Sequence, residues 1–128
     1  MNRVFIDTNI IIDYSNGFEK DLKTIFVLQK QKKLQIFINP IVIEEFYTDK
    51  RLKKPENLRR AKKLFQIFSV INIFAKDGLL AAEILRANEV YLLSDALIAA
   101  TCINNNFELA TRNIKDFKHV KKLKLFTF

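Results

Sequence analysis

Five short runs rich in β-branched and aromatic residues alternate with stretches of helical periodicity, and no hairpin signal joins any two of the runs. Strands that cannot return through a tight turn need helical crossovers and pair in parallel. The alternation therefore specifies a three-layer α/β/α domain around a central, mainly parallel sheet, read as one domain spanning residues 1–128. The five strand candidates are VFI at 4–6, LQIFI at 34–38, VINIF at 70–74, FELAT at 107–111 and LKLFTF at 123–128.

Helices fill the intervals. TNIIIDYS follows the first strand with helical polarity, and apolar residues at Leu22, Ile25 and Phe26 mark an amphipathic helix between Phe18 and Gln31. Asn39 before Pro40 is a start signal, a capping side chain ahead of a residue suited to the first turn. The helix it opens carries IVIEEFY and is expected to end near Asp49. Another begins around Pro55, with Leu58, Ala61, Leu64, Phe65 and Phe68 on one face. Asp77 and Ser94 are the candidate caps of the last two helices, through AAEILRANEV and DALIAATCINN. The phenylalanines fall at helix and strand spacing and are expected mostly in the core.

Acids are scarce, so their surroundings are informative. Asp7 lies between VFI and TNIII, Glu44 and Glu45 between IVI and FY, and Asp95 between YLLS and ALIAA. A carboxylate in apolar company is costly unless it is neutralised, hydrogen-bonded or bound to a cation. In a parallel sheet Asp7 falls just past the C-terminal end of the first strand, the edge at which such folds bind ligands. Asp95 and Asp116 can reach the same edge. Taken singly, each has an ordinary explanation: Asp7 as a cap, Asp95 as a first-turn acid favoured by the helix dipole, Asp116 as a loop acid. Glu44 and Glu45 point about 100° apart, so one of them is expected in solvent. Four independent caps do not explain why three of the sites interrupt apolar runs. Oxygen ligands without a thiolate or imidazole cluster select Mg²⁺, with Mn²⁺ as a substitute.

Composition narrows the chemistry further. With glycine only at positions 17 and 78, the chain holds no GxGxxG turn, no Gly-rich phosphate loop and no GxSxG elbow. Cys102 and His119, each the only one of its kind, form neither a Cys/His zinc site nor an internal disulfide, which fits a reducing cytoplasm. No apolar stretch is long enough to span a bilayer, and MNRVFIDTN lacks a signal-peptide core, so a soluble, unprocessed protein without a membrane partner is expected. The net charge of +8 and pI near 9.7 point to a polyanion, with nucleic acid ahead of an anionic membrane surface.

FIDTNIIIDY, INPIVIEEFY and SDALIAATCINNNFELATRNIKDF, in that order and spacing, resemble the PIN domain family and, within it, the VapC-type toxins of bacterial and archaeal toxin–antitoxin pairs. The similarity covers nearly the whole chain. It implies catalytic acids at Asp7, Glu45, Asp95 and Asp116, with a cation held by Asp7, Asp95 and Asp116. Glu45 is preferred to Glu44 because the family acid directly precedes an apolar residue, here Phe46. Thr8 and Asn9 would shape the first turn, and Asn113 would line the site beside Asp116. The implied activity is Mg²⁺-dependent endoribonuclease cleavage of structured RNA, with tRNA or another translation-related RNA as target. A homodimer and a small inhibitory antitoxin protein are the implied partners.

The run from Lys50 to Lys63 holds eight basic residues against Glu56 alone. Such a run is commonly a solvated helix face. Directly after the helix bearing Glu45, its Lys53, Lys54, Arg59 and Arg60 are also placed to hold a phosphate backbone, as is Arg112 in a second basic segment beside Asp116. His119 among its lysines is expected at the surface rather than as a general acid. Two other functions compete. A catalytically silent RNA-binding scaffold of the same fold needs no acids, and a Mg²⁺ phosphatase with an aspartyl nucleophile ordinarily wants a second acid two residues on, where this chain has Asn9.

Overall fold

The computed structural model describes residues 1–128. Its order is β1 (Asn2–Ile6), α1 (Thr8–Ser15), α2 (Lys20–Lys30), β2 (Leu34–Ile38), α3 (Pro40–Tyr47), a 3-10 turn (Lys50–Lys53) and α4 (Pro55–Phe65), then β3 (Ser69–Val70), α5 (Ala75–Arg86), α6 (Leu93–Asn105), β4 (Glu108–Ala110), α7 (Ile114–Phe117) and β5 (Lys124–Leu125).

All strand pairs are parallel, in the order β3-β2-β1-β4-β5, and helices flank the sheet. β1 is central, so Val4, Phe5 and Ile6 are buried on both faces and read as a continuous apolar run rather than an alternation. β2 keeps Leu34, Ile36 and Ile38 inside and Gln35 out. The register sets Phe5 beside Phe37 on one side and beside Leu109 on the other. The chain builds outward from β1 through β2 to β3, then crosses to lay β4 and β5 on the other side. The order reverses between β1 and β4, whose C-terminal ends frame the crevice where open parallel sheets bind ligands.

Local chemistry explains most boundaries. Asn39 caps α3 by accepting from Ile41 and Val42 N–H at 3.1 and 3.2 Å, with Pro40 in the first turn. Asn106 takes the left-handed conformation (φ 56°), closing α6 and turning the chain into β4. A single cluster of 27 buried apolar residues runs from Val4 to Val120 and draws on every helix from α1 to α7 and on β1, β2 and β4, while the two residues of the edge strand β3 are exposed. Nine of the twelve phenylalanines lie in this core or against it; Phe18, Phe74 and Phe128 are exposed. Cys102 is wholly buried, and burial pushes its thiol up, so it is held neutral. No helix is long and apolar enough to cross a membrane.

The structure corrects several expected boundaries. Within VINIF only Val70 belongs to the ladder, with Ser69 before it and Ile71 N–H reaching Ile38 O at 2.8 Å; residues 72–74 leave the sheet to enter α5. LKLFTF contributes only Lys124 and Leu125, plus Phe126 N–H on Leu109 O. An edge strand pairs only as far as its one neighbour extends. α5 starts two residues before Asp77, which sits inside the first turn and accepts from Phe74 N–H at 2.8 Å. α6 begins at Leu93, so Ser94 lies within the helix and no side chain caps its start. Asp116 is carried by α7, a single short helix, rather than by an irregular loop.

Candidate metal centre

The crevice at the sheet's reversal point is built from two threonines and an aspartate. Asp7 follows β1, caps α1 and is 5% exposed, and its N–H donates to Ala110 O at 2.9 Å, locking it to the end of β4. Oδ1 accepts from Thr8 N–H at 2.8 Å; Oδ2 accepts from the Thr111 hydroxyl at 2.6 Å and from Asn9 Nδ2 at 3.2 Å. The capping and the site readings of Asp7 are thus compatible. Burial raises its pKa, the hydrogen bonds from Thr111 and Thr8 oppose that rise, and the charge of Glu45 adds to it.

Glu45 stands half-buried on α3 and accepts from the Thr8 hydroxyl at 2.7 Å, while Glu44, one position earlier, is exposed. The helix that carries Glu45 is fixed by Asn39, which is fully buried and donates through Nδ2 to Thr101 Oγ1 at 3.0 Å. Thr101 passes its own proton to Leu97 O within α6. α6 also carries Asp95, so one buried amide ties the helices of two site acids together.

Asp95 lies in the first turn of α6, half-buried, and its pKa is pushed up to about 6. Burial is the main cause, followed by the charges of Asp7, Asp116 and Glu45. Acids from four separate elements, far apart in sequence, therefore share one electrostatic neighbourhood. Asp116 is exposed on α7 and borders, with Asp95, Lys115 and His119, a hollow of about 140 Å³. Asn9 is half-buried over Asp7; Asn113 is exposed, and its N–H donates to Thr111 Oγ1 at 3.0 Å.

None of the four acids is salt-bridged, although the chain carries 22 lysines and arginines; the ion pairs all lie elsewhere. As placed, no three acidic, histidine or cysteine side chains close around one point; Asp7 and Glu45 accept hydrogen bonds from Thr8, Asn9 and Thr111. The donor set fits a divalent cation. It consists of carboxylate oxygens alone, with Asp7 and Asp95 raised by burial and by neighbouring carboxylates and none of the four paired with a lysine or arginine, which is the environment a hard ion such as Mg²⁺ or Mn²⁺ takes.

The basic run lies beside this centre. Lys53, Lys54, Arg59 and Arg60 are exposed and make no ion pair, while Arg51 is engaged by Asp49. Arg60, Lys63 and Glu45 border a half-apolar cleft of about 710 Å³, floored by Ile12, Phe46 and Leu64, between α1, α3 and α4. Arg112 does not stand free: its guanidinium pairs with Asp13 at 3.0 Å and with Asp21 at 3.5 Å. His119 is exposed.

Sequence reasoning missed Thr111, Asn39 and Thr101 as supports of the site. Thr111 had a usable signal, since it follows β4 as Asp7 follows β1, at the two strand ends flanking the reversal point. Asn39 was read only as a cap, and nothing local marks its second bond to α6.

Comparison with known proteins agrees with this fold. The PIN domain family matches residues 4–123. Over 134 residues the chain is 28% identical to Ribonuclease VapC1 of Rickettsia felis, covering 97% of this chain and 95% of that protein. It is 29% identical over 133 residues to Ribonuclease VapC of Rickettsia bellii, with the same coverage. Among solved structures, VapBC2 of Rickettsia felis bound to a DNA fragment from its promoter aligns with a TM-score of 0.82 and 26% identity over 98% of both chains. A toxin–antitoxin complex from Klebsiella pneumoniae aligns with a TM-score of 0.74 and 28% identity over 94% of both chains.

Proposed function

The chain belongs to the PIN domain family, and from that premise we propose that it is a metal-dependent endoribonuclease acting as the toxin of a toxin–antitoxin pair. The observation that carries the reading is the position of Asp95, half-buried within reach of the charges of Asp7, Asp116 and Glu45, so that burial first and those charges next raise its proton affinity, while no lysine or arginine pairs with any of the four. Such a cluster holds a cation or repels its own substrate.

Asp7, Asp95 and Asp116 are the residues that would hold Mg²⁺ or Mn²⁺, which when bound supplies Lewis acidity toward a phosphodiester and an acidified water. The protein's own part is positional and electrostatic. Thr111 and Asn9 fix the Asp7 carboxylate, and Thr8 fixes Glu45 at 2.7 Å so that it faces the crevice rather than solvent. Lys53, Lys54, Arg59 and Arg60 hold backbone phosphates beside Glu45 without reading sequence. Recognition by RNA shape follows, with tRNA or another structured translation-related RNA as the target class.

The named relatives extend the reading to partners. Solved structures similar to this chain are VapBC and toxin–antitoxin complexes, which supports a small cognate antitoxin here. Tyr91, Leu92 and Leu93 stand exposed at the entrance to α6, Tyr91 at 84%, and this apolar edge supports self-association as a homodimer. A cytoplasmic site of action goes with the reading as a toxin that acts on translation-related RNA.

The deciding experiment incubates the purified protein and its Asp95→Asn variant with a pool of structured RNAs in Mg²⁺, in Mn²⁺ and in EDTA. Discrete fragments that need the metal and vanish in the variant are expected. Binding of RNA without cleavage under every condition would overturn the nuclease reading in favour of a silent RNA-binding scaffold.

A further inference from the structure

Arg112 is the one basic residue that pairs with two carboxylates. It sits beside the acidic crevice, where a guanidinium is ordinarily assigned to the substrate. Two carboxylates already face it, Asp13 from the end of α1 and Asp21 from the start of α2. The three groups together carry one negative charge, so an approaching phosphate meets no net attraction there. Asp13 and Asp21 are each only half exposed, and neither pairs with any other lysine or arginine.

What the pair does hold is a turn. Arg112 lies between Thr111, whose hydroxyl reaches Asp7, and Asn113, whose N–H reaches the same hydroxyl. The Arg112 N–H points to Asn9 Oδ1 at 3.3 Å, and Asn9 Nδ2 contacts both Asp7 at 3.2 Å and Thr111 at 3.4 Å. Immediately after the turn comes α7 with Asp116. The backbone around Arg112 thus carries one hydrogen-bond donor to Asp7 and the element that bears Asp116, while its side chain is anchored to α1 and α2.

We infer that Arg112 is a positioning residue: clamped by Asp13 and Asp21, it latches the turn between β4 and α7 onto α1 and so sets both the orientation of Asp7 and its separation from Asp116. It acts through Thr111 and Asn9 and makes no contact with substrate. This inference rests on the reading of Asp7 and Asp116 as metal-holding acids. Residues that orient ligands through hydrogen bonds commonly alter metal affinity by about 10-fold or more when lost.

The test titrates Mn²⁺, followed by the electron paramagnetic resonance signal of the free ion, into six forms of the full chain: wild type, Arg112→Gln, Arg112→Lys, Asp13→Asn/Asp21→Asn, the triple variant combining Arg112→Gln with that pair, and Asp7→Asn. RNA binding in EDTA is measured on each in parallel. The latch predicts that Arg112→Gln and the double asparagine variant each weaken Mn²⁺ binding about 10-fold, with Arg112→Lys intermediate because one pair survives. Combining Arg112→Gln with the double variant adds little further loss, since all three residues act as one unit. RNA binding in EDTA stays close to wild type. Unchanged Mn²⁺ affinity in Arg112→Gln alongside loss of binding in Asp7→Asn would overturn the latch and leave the site standing. Unchanged affinity in Asp7→Asn would overturn the site reading itself. Tighter RNA binding in the double variant with normal Mn²⁺ affinity would return Arg112 to the substrate. Circular dichroism monitors folding, and if Arg112→Gln fails to fold, Asp13→Asn alone is scored against the same two outcomes.

Discussion

Thr111 donates its hydroxyl proton to Asp7 at 2.6 Å across 104 residues of sequence, joining the ends of two neighbouring parallel strands at the point where the sheet order reverses. It is the strongest of the interactions that oppose the effect of burial on the Asp7 carboxyl. Replacing it with Thr111→Val keeps the shape and removes the donor, leaving Oδ2 with only the longer contact from Asn9. The expected result is a loss of about 1–2 kcal/mol of stability, a further rise in the Asp7 pKa and weaker Mn²⁺ binding, with Thr111→Ser close to wild type. Urea denaturation and Mn²⁺ titration check it; equal behaviour of the valine and serine variants would show the hydroxyl to be idle.

Crowded acids also give the metal-free protein a pH dependence of definite sign. The Asp95 pKa rises from 3.8 to about 6 on folding. Between those values the folded chain keeps a proton that the unfolded chain has released, so stability falls as pH rises from about 4 to about 6 and the loss is complete above that. Asp7, also raised, contributes with the same sign. In EDTA, the melting temperature is expected to be higher at pH 5 than at pH 7.5, with the difference reduced in Asp95→Asn and the variant more stable than wild type at pH 7.5. A wild-type protein that gains stability over this range, or an asparagine variant less stable than wild type at pH 7.5, would contradict the crowding.

A second long-range contact holds the scaffold under the site. Asn39 satisfies two N–H groups of α3 and, fully buried, donates to Thr101 on α6. Asn39→Leu removes the cap and leaves those N–H groups without their acceptor. A cost of about 2–4 kcal/mol is expected from the cap and the stranded donors together. Thr101→Val, which removes only the α6 end, is expected to cost less. The order of the two midpoints in urea tests whether the cap or the bridge dominates; a thermally neutral Asn39→Leu would exclude both.

What the sequence made legible divides by range. LQIFI matched β2 to the residue, and the Asn39–Pro40 start held, because alternation and capping are decided within a few positions. The acidic positions were legible for the same reason: Asp7, the Glu44–Glu45 pair and Asp95 each interrupt an apolar run, a local anomaly that needs no partner to be seen, while the choice of Glu45 over Glu44 came from the family resemblance. Strand lengths at the sheet edges were not legible, since β3 and β5 extend only as far as β2 and β4 support them. The side chains that hold the acids were hidden too. Thr111 on Asp7 and Arg112 on Asp13 are pairings that exist only once β1 and β4 lie side by side. The same holds for Arg112 as a charge: a basic residue next to an acidic motif reads as a substrate contact until two carboxylates from another part of the chain are found in front of it.

The remaining basic residues yield a prediction in which salt decides the answer. Lys53, Lys54, Arg59 and Arg60 are exposed and unpaired on the 3-10 turn, the residue after it, and α4, and Arg60 lines the cleft bordered by Glu45. A lysine or arginine that meets a backbone phosphate releases condensed counterions, so each contact steepens the fall of affinity with salt by about 0.7–0.9 in log–log slope. Replacing all four with glutamine is expected to weaken RNA binding and to flatten that slope by about 3–4 where each meets a phosphate, with little change in melting temperature because none of the four is buried or ion-paired. Arg112→Gln serves as the contrast, since its guanidinium is already matched by Asp13 and Asp21 and its loss is expected to leave the slope nearly unchanged. Fluorescence anisotropy of a labelled structured RNA in EDTA, measured from low to moderate salt, separates the two. A slope that stays the same in the quadruple variant would mean that this helix face is merely solvated, and a slope that falls in Arg112→Gln would mean that the phosphate path runs over the turn between β4 and α7 instead.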